Sequence, residues 1–342
     1  MRNRLAVPAA LPGLCLLWLA ASGCFGGGSP SADLGQADSA RAVDQTTPGP
    51  TATPGPIVQQ QTGEPIAWIP GLAMDGPPPT ATLSAEAVYQ GGAILVRATG
   101  GSTGAVTVFG RTVPMQPVGE ELVALFGFGT QDPPGPTYLS IDILNSQGEW
   151  EYIARTITVY PTEWEYEDIY LPPPPPPDPN APPPPPPPPN ENPLLPGIYA
   201  GITGKSWEGE WAAPLDELRV TGQFGGQRSF NGGPIGGHHG GVDFGADFGT
   251  PIYSANAGVV VMSGLYQVRG NLVVVDHGLG VFTLYGHMSE RAVEVGDVVA
   301  KGQVLGYIGS TGLSTGAHLH WEVSVFGVLV DGLRWLDGSQ GF

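Results

Sequence analysis

All six histidines of this 342-residue chain fall in its last third: His238, His239, His277, His287, His318 and His320. Imidazoles gathered in this way point to a metal site or to acid–base chemistry. Two spacings sharpen that reading. In His239-Gly240-Gly241-Val242-Asp243 an imidazole and a carboxylate stand four residues apart. The glycines let the backbone bend tightly, so both side chains can face one point. In His318-Leu319-His320 two imidazoles stand two residues apart. On a strand such residues project from the same face, and Leu319 from the other. With His287 between the two motifs, the set supplies three metal donors and bases to spare. His238 is an alternative donor, although only His239 has the four-residue spacing to Asp243. His277, in Asp276-His277-Gly278, reads as a strand end at the surface, and Asp247 as a turn residue. Glu322 either supports a donor from behind or lies on the surface.

The elements that must position these groups read as mainly β. In the tail, β-branched and aromatic runs between glycine-marked turns predict strands near 251–254, 258–262, 272–276, 281–285, 303–308 and 320–325, with no long helical period. Earlier runs, Ala93–Val96, Val106–Phe109, Leu122–Phe126, Leu139–Ile143 and Arg155–Val159, are separated by Gly, Pro and Asn clusters. They predict an immunoglobulin-like β-sandwich over 66–165. Two proline runs, Pro172–Pro177 and Pro182–Pro189, lie within a proline-rich linker over 166–203. Polyproline II is a stiff rod of about 3.1 Å per residue, here expected to hold the last domain (204–342) away from the sandwich. That last domain is expected as an antiparallel, barrel-like β structure.

Four blocks in the tail resemble the lysostaphin-type, LytM-like zinc endopeptidases. They are Gly241-Val242-Asp243-Phe244, Gly249-Thr250-Pro251-Ile252, Tyr285-Gly286-His287-Met288 and the long block from Gly309 through Ala317-His318-Leu319-His320-Trp321-Glu322. Their order and spacing match as well, over roughly 214–336. The resemblance implies one zinc ion per chain, held by His239, Asp243 and His320. It implies that His287 and His318 act on the attacking water and the transition state as non-ligand histidines. It also implies the substrate class, bacterial peptidoglycan stem peptides or cross-links. The loop 224–233 resembles the family's groove rim, where Arg228 and Asn231 could hydrogen-bond a peptide; a solvated loop is the rival reading. Three protein donors on zinc leave one coordination position for water. A second function in view is a non-catalytic wall-binding regulator of another hydrolase, and a third is a glycan-binding lipoprotein that works through its sandwich.

Composition bounds the partners. A formal net charge of −18 argues against nucleic acid, whose phosphates call for lysine and arginine. The charge lies mostly before Lys205: the residues from there on carry 7 basic and 13 acidic side chains. At the start, Arg2 and Arg4 precede an apolar run from Leu5 to Ala21 and then Ser22-Gly23-Cys24. This is the layout of an export signal over 1–24. It resembles the bacterial lipobox, with Ala21 where leucine is preferred, and implies membrane attachment through a lipidated Cys24. Cys15 and Cys24 are the only cysteines, so the mature chain is expected to lack a disulfide. Residues 25–65, rich in small and polar residues, are expected as a tether.

Overall fold

Period-two burial builds the first domain. In the computed structural model, which describes residues 78–171 and 185–338, Leu139, Ile141 and Ile143 point inward from one long strand while their neighbours face out. The strands here are β1 (Thr80–Leu83), β2 (Ala87–Tyr89), β3 (Ala93–Thr99), β4 (Gly101–Val108), β5 (Arg111–Pro114), β6 (Gln116–Val118), β7 (Glu121–Gly127), β8 (Gly135–Asn145) and β9 (Trp150–Tyr160). One sheet runs β1-β3-β7-β6 and the other β2-β9-β8-β4-β5, with β2 parallel to β9. Ile94, Val96, Val106, Phe126, Phe128 and Ile141 fill the space between them. Four strands facing five across one apolar core form the immunoglobulin-like sandwich expected from the sequence. The export signal, Cys24, the tether and most of the proline runs lie outside the described residues.

The second part begins with β10 (Tyr166–Ile169) and a short helix α1 (Leu195–Tyr199). There follow β11 (Val220–Gly222), β12 (Gln227–Phe230), β13 (Ile235–His238), β14 (Val242–Gly245), β15 (Pro251–Tyr253), β16 (Gly258–Tyr266), β17 (Gly270–Gly278) and β18 (Val281–Met288). The remaining elements are β19 (Glu290–Arg291), β20 (Val298–Val299), β21 (Val304–Tyr307), β22 (His318–Val325), β23 (Val328–Val330) and helix α2 (Leu333–Leu336). The main antiparallel sheet runs β11-β14-β22-β18-β17-β16-β20, with β23 on β22. Two small sheets, β15-β21-β19 and β10-β12-β13, flank it. The central strands β17, β18 and β22 are buried along nearly their whole length, which is why they read as apolar runs.

The described residues fall in one compact unit, and the expected stand-off rod needs correcting. Strands β3 and β7 are apolar on both faces. Ile94, Val96, Ala124 and Phe126 enter the sandwich core, while Ala93, Leu95, Val123 and Leu125 join the core of the tail domain. A Cβ at Gly127 would sit 3.1–3.3 Å from Val325, Val328 and Val330, so the sandwich rests directly on β22 and β23. The flanks of the proline-rich stretch are also packed: β10 pairs in parallel with β12, and Leu195 and Tyr199 of α1 are buried.

His277 is a second correction. It is fully buried on β17, where Nδ1 donates to the Ala257 carbonyl at 2.8 Å and Nε2 accepts from the Thr283 hydroxyl at 2.7 Å. Burial lowers its pKa to about 4, so it serves as a neutral core histidine.

Candidate active site

Sheet register brings the two motifs together. On the neighbouring strands β14 and β22, Asp243 lies directly opposite His320, and Gly245 opposite His318. His239 enters from the end of β13 through two glycines. Gly241 is required there, because a Cβ would come within 2.4 Å of the Trp321 carbonyl oxygen. One donor atom from each of His239, Asp243 and His320 lies within 4.8 Å of the others, the only group of this kind among the described residues. His239 Nε2 is 3.0 Å from His320 Nδ1, and Asp243 Oδ1 is 2.8 Å from His320 Nδ1 and 3.2 Å from His239 Nε2.

Hydrogen bonds fix which ring nitrogens face this point. His239 Nδ1 donates to the Gln223 carbonyl at 2.8 Å, which turns Nε2 toward the cluster. His320 Nε2 donates to Glu322 Oε1 at 2.9 Å, which turns Nδ1 toward it. Glu322 is buried, so of its two sequence readings the structure places it behind the donor. Two imidazoles and one carboxylate, each oriented from behind, form the donor set that a catalytic zinc takes with a position open, so the residues present fit that ion.

His287 and His318 stand beside the cluster, their rings 4.7 Å apart. His287 Nδ1 donates to the Thr311 carbonyl at 2.7 Å and His318 Nδ1 to the Gly316 carbonyl at 2.9 Å. Each therefore keeps an Nε2 lone pair, and that of His318 is 3.7 Å from Asp243 Oδ1. His287 sits at φ 61°, a left-handed conformation that costs a side-chain-bearing residue about 1–3 kcal/mol. The backbone of Arg269, whose carbonyl accepts the His287 N–H at 2.7 Å, holds it there.

The electrostatics sort these groups. Burial, then repulsion from His320 and His318, lowers the His287 pKa to about 3 and keeps it neutral. Burial also lowers that of His239, against its hydrogen bond to Asp243. For Asp243, burial acts upward, but hydrogen bonds from His239 and His320 outweigh it and hold the carboxyl well below its usual range. For His320, burial acts downward and is outweighed by the hydrogen bonds to Asp243 and Glu322.

Arg228 and Asn231 are placed differently from a free groove rim. Arg228 Nη2 donates to Asp243 Oδ2 at 2.6 Å, and its Nε to Glu167 Oε2 at 2.9 Å. Asn231 Oδ1 accepts the Leu171 N–H at 2.8 Å. The reason is β10: by joining β12 it turns the expected rim into a paired strand and engages both side chains. His238 donates from Nδ1 to the Gly225 carbonyl at 2.7 Å, packs against Trp164 and stays outside the donor cluster. Asp247 is exposed, its carbonyl closing a turn to Thr250. Sequence reasoning missed Arg269, Glu191, Tyr199 and Glu167, all from segments that read as loop or linker. The site opens into a cleft of about 670 Å³ walled by Tyr170, Leu313 and Thr315, room for a short peptide.

Comparison with known proteins agrees with this geometry. Residues 237–332 match the model of Peptidase family M23. The chain is 40% identical over 119 residues to the peptidoglycan DD-endopeptidase ShyC of Vibrio cholerae, covering 34% of this chain and 27% of that one. It is 43% identical over 89 residues to the DD-carboxypeptidase/endopeptidase Mpg of Neisseria meningitidis, covering 26% and 20%. The matched region thus spans about a quarter of the length of these curated relatives. A solved M23-type structure from Pseudomonas aeruginosa superposes with a TM-score of 0.51 at 24% identity, covering 72% of this chain and 94% of that one. That likeness shows a shared fold extending beyond the matched domain.

Proposed function

We propose, from the premise that the C-terminal domain belongs to peptidase family M23, that this chain is a zinc-dependent endopeptidase hydrolysing peptide bonds in peptidoglycan stem peptides or cross-links. The observation that carries the reading is the convergence of His239, Asp243 and His320 donors within 4.8 Å, beside two imidazoles with free Nε2 atoms. The relatives named as peptidoglycan endopeptidases support the substrate class.

His239, Asp243 and His320 would hold the metal, which supplies Lewis-acid activation of water and of the scissile carbonyl. The chain's own groups do the rest. His287, kept neutral by burial, and His318 present Nε2 lone pairs toward the cluster. They accept the proton of the attacking water and, once protonated, donate to the developing oxyanion and to the leaving amine. Glu322 and Arg228 hold His320 and Asp243 in place from behind.

We extend the proposal to the whole chain as a lipoprotein exported by residues 1–24 and anchored through Cys24. The tether (25–65), sandwich (66–165) and proline-rich stretch (166–203) then precede the peptidase domain (204–342). The basic start, the apolar run and the Ser22-Gly23-Cys24 junction support the anchor. No helix among the described residues is long and apolar enough to cross a membrane.

The test is mass spectrometry of purified muropeptides incubated with the full chain. Cleavage is expected with zinc present, with loss under chelator and recovery on adding zinc back. A zinc-loaded protein that binds muropeptides and cleaves none at any pH from 5 to 9 would replace this reading with the wall-binding regulator.

A further inference from the structure

Glu191 follows the second proline run and carries no chemistry in the mechanism above, yet it is completely buried. Buried carboxylates are rare unless paired, so its partners matter. Its Oε1 accepts the Arg269 N–H at 2.6 Å and its Oε2 the Val268 N–H at 3.2 Å. The Arg269 guanidinium reaches the same carboxylate at 3.4 Å and donates to Asn192 Oδ1 at 2.7 Å. The Gln267 N–H donates to the Pro189 carbonyl at 3.0 Å. The segment 189–192 is therefore bound to the loop 267–269 along both backbone and side chains.

Arg269 connects this clamp to the site by two routes. Its Nε donates to Glu322 Oε1 at 2.7 Å, the oxygen that accepts from His320 Nε2. Its carbonyl accepts the N–H of His287, the residue held at φ 61°. Tyr199, from the same segment, donates to Glu322 Oε2 at 3.1 Å. Glu191, Asn192 and Tyr199 all lie outside the region 237–332 shared with the family.

We propose that Glu191 is a positioning residue of the active site: it seats Arg269, which fixes His287 through its carbonyl and His320 through Glu322. The segment after the proline run is thus part of the peptidase rather than a spacer. This rests on the metallopeptidase reading of the same site. Loss of an outer-shell partner costs roughly 10–100-fold in metal affinity or activity, and the same range is expected here.

The experiment measures zinc affinity by competition with a chromogenic chelator, together with kcat and KM on a muropeptide. It uses the full chain, Glu191→Ala, and Glu191→Gln, which keeps the volume and removes the charge. Thermal melts establish that each is folded. Glu191→Ala is expected to weaken zinc binding about 10-fold or more and to lower kcat with KM nearly unchanged, with Glu191→Gln between it and the native protein. If Glu191→Ala does not fold, Glu191→Gln carries the test alone. A folded variant with native zinc affinity and native kcat overturns the proposal. If the native chain itself binds no zinc, the metallopeptidase reading fails instead, and the two failures are told apart.

Discussion

Asp243→Ala is expected to leave a folded protein that holds no zinc and cleaves no muropeptide. The carboxylate is the only anion among the three donors, and its Oδ1 lies within 3.2 Å of both donor imidazoles. Its removal does more than subtract one donor. Arg228 Nη2, 2.6 Å from Asp243 Oδ2, would then turn a guanidinium paired only with Glu167 toward the cation's position. Two imidazoles facing a fixed positive charge cannot retain a divalent ion against water. The loss should exceed the roughly 10–100-fold that an outer-shell change costs. Metal content by plasma mass spectrometry, beside a thermal melt, reads this. One zinc per native chain and none in the variant is the expected pair, and full retention would remove Asp243 from the ligand set.

His318→Ala is expected to separate binding from turnover. The side chain stands at the start of β22, tied back to the Gly316 carbonyl and only partly buried, so its loss should not disturb the fold. Its Nε2, 3.7 Å from Asp243 Oδ1, faces the cluster without completing it. Zinc stoichiometry should stay at one. Removing a proton-transfer or oxyanion-stabilising group lowers kcat by about 10²–10⁴-fold, roughly 3 to 5 kcal/mol in the barrier. Native cleavage by the variant would leave His287 as the sole base and remove His318 from the mechanism.

These residues were legible because their signals are local. His318-Leu319-His320 is a period-two pair, and β22 keeps that period. The glycines after His239 mark a close approach, and the 2.4 Å clearance at Gly241 is its physical cause. The sandwich strands were legible as β-branched and aromatic runs between Gly, Pro and Asn clusters. What stayed hidden depends on contacts distant in sequence. Glu191, beside Pro189 and Asn190, reads as solvated linker, and nothing local tells of Arg269 some 78 residues on. Tyr166-Glu167-Asp168-Ile169 falls in the stretch read as proline-rich linker, and only pairing with β12 makes it a strand. The doubly apolar faces of β3 and β7 signal a second packing surface without naming β22 and β23 as its cover. The Gln223 and Thr311 carbonyls that set the tautomers of His239 and His287 belong to backbone, which carries no residue-type signal. His277 misleads for a related reason: read as a strand end at the surface, it is a neutral core imidazole satisfied by Ala257 and Thr283, partners that its local sequence does not name.

The most direct test of the account is an anomalous-difference map at the zinc edge, from crystals of the full chain grown with zinc. One peak is predicted, about 2.0–2.2 Å from His239 Nε2, His320 Nδ1 and an Asp243 carboxylate oxygen, with His287 and His318 outside bonding distance. No peak between these three residues, or a peak held by other histidines, would contradict it.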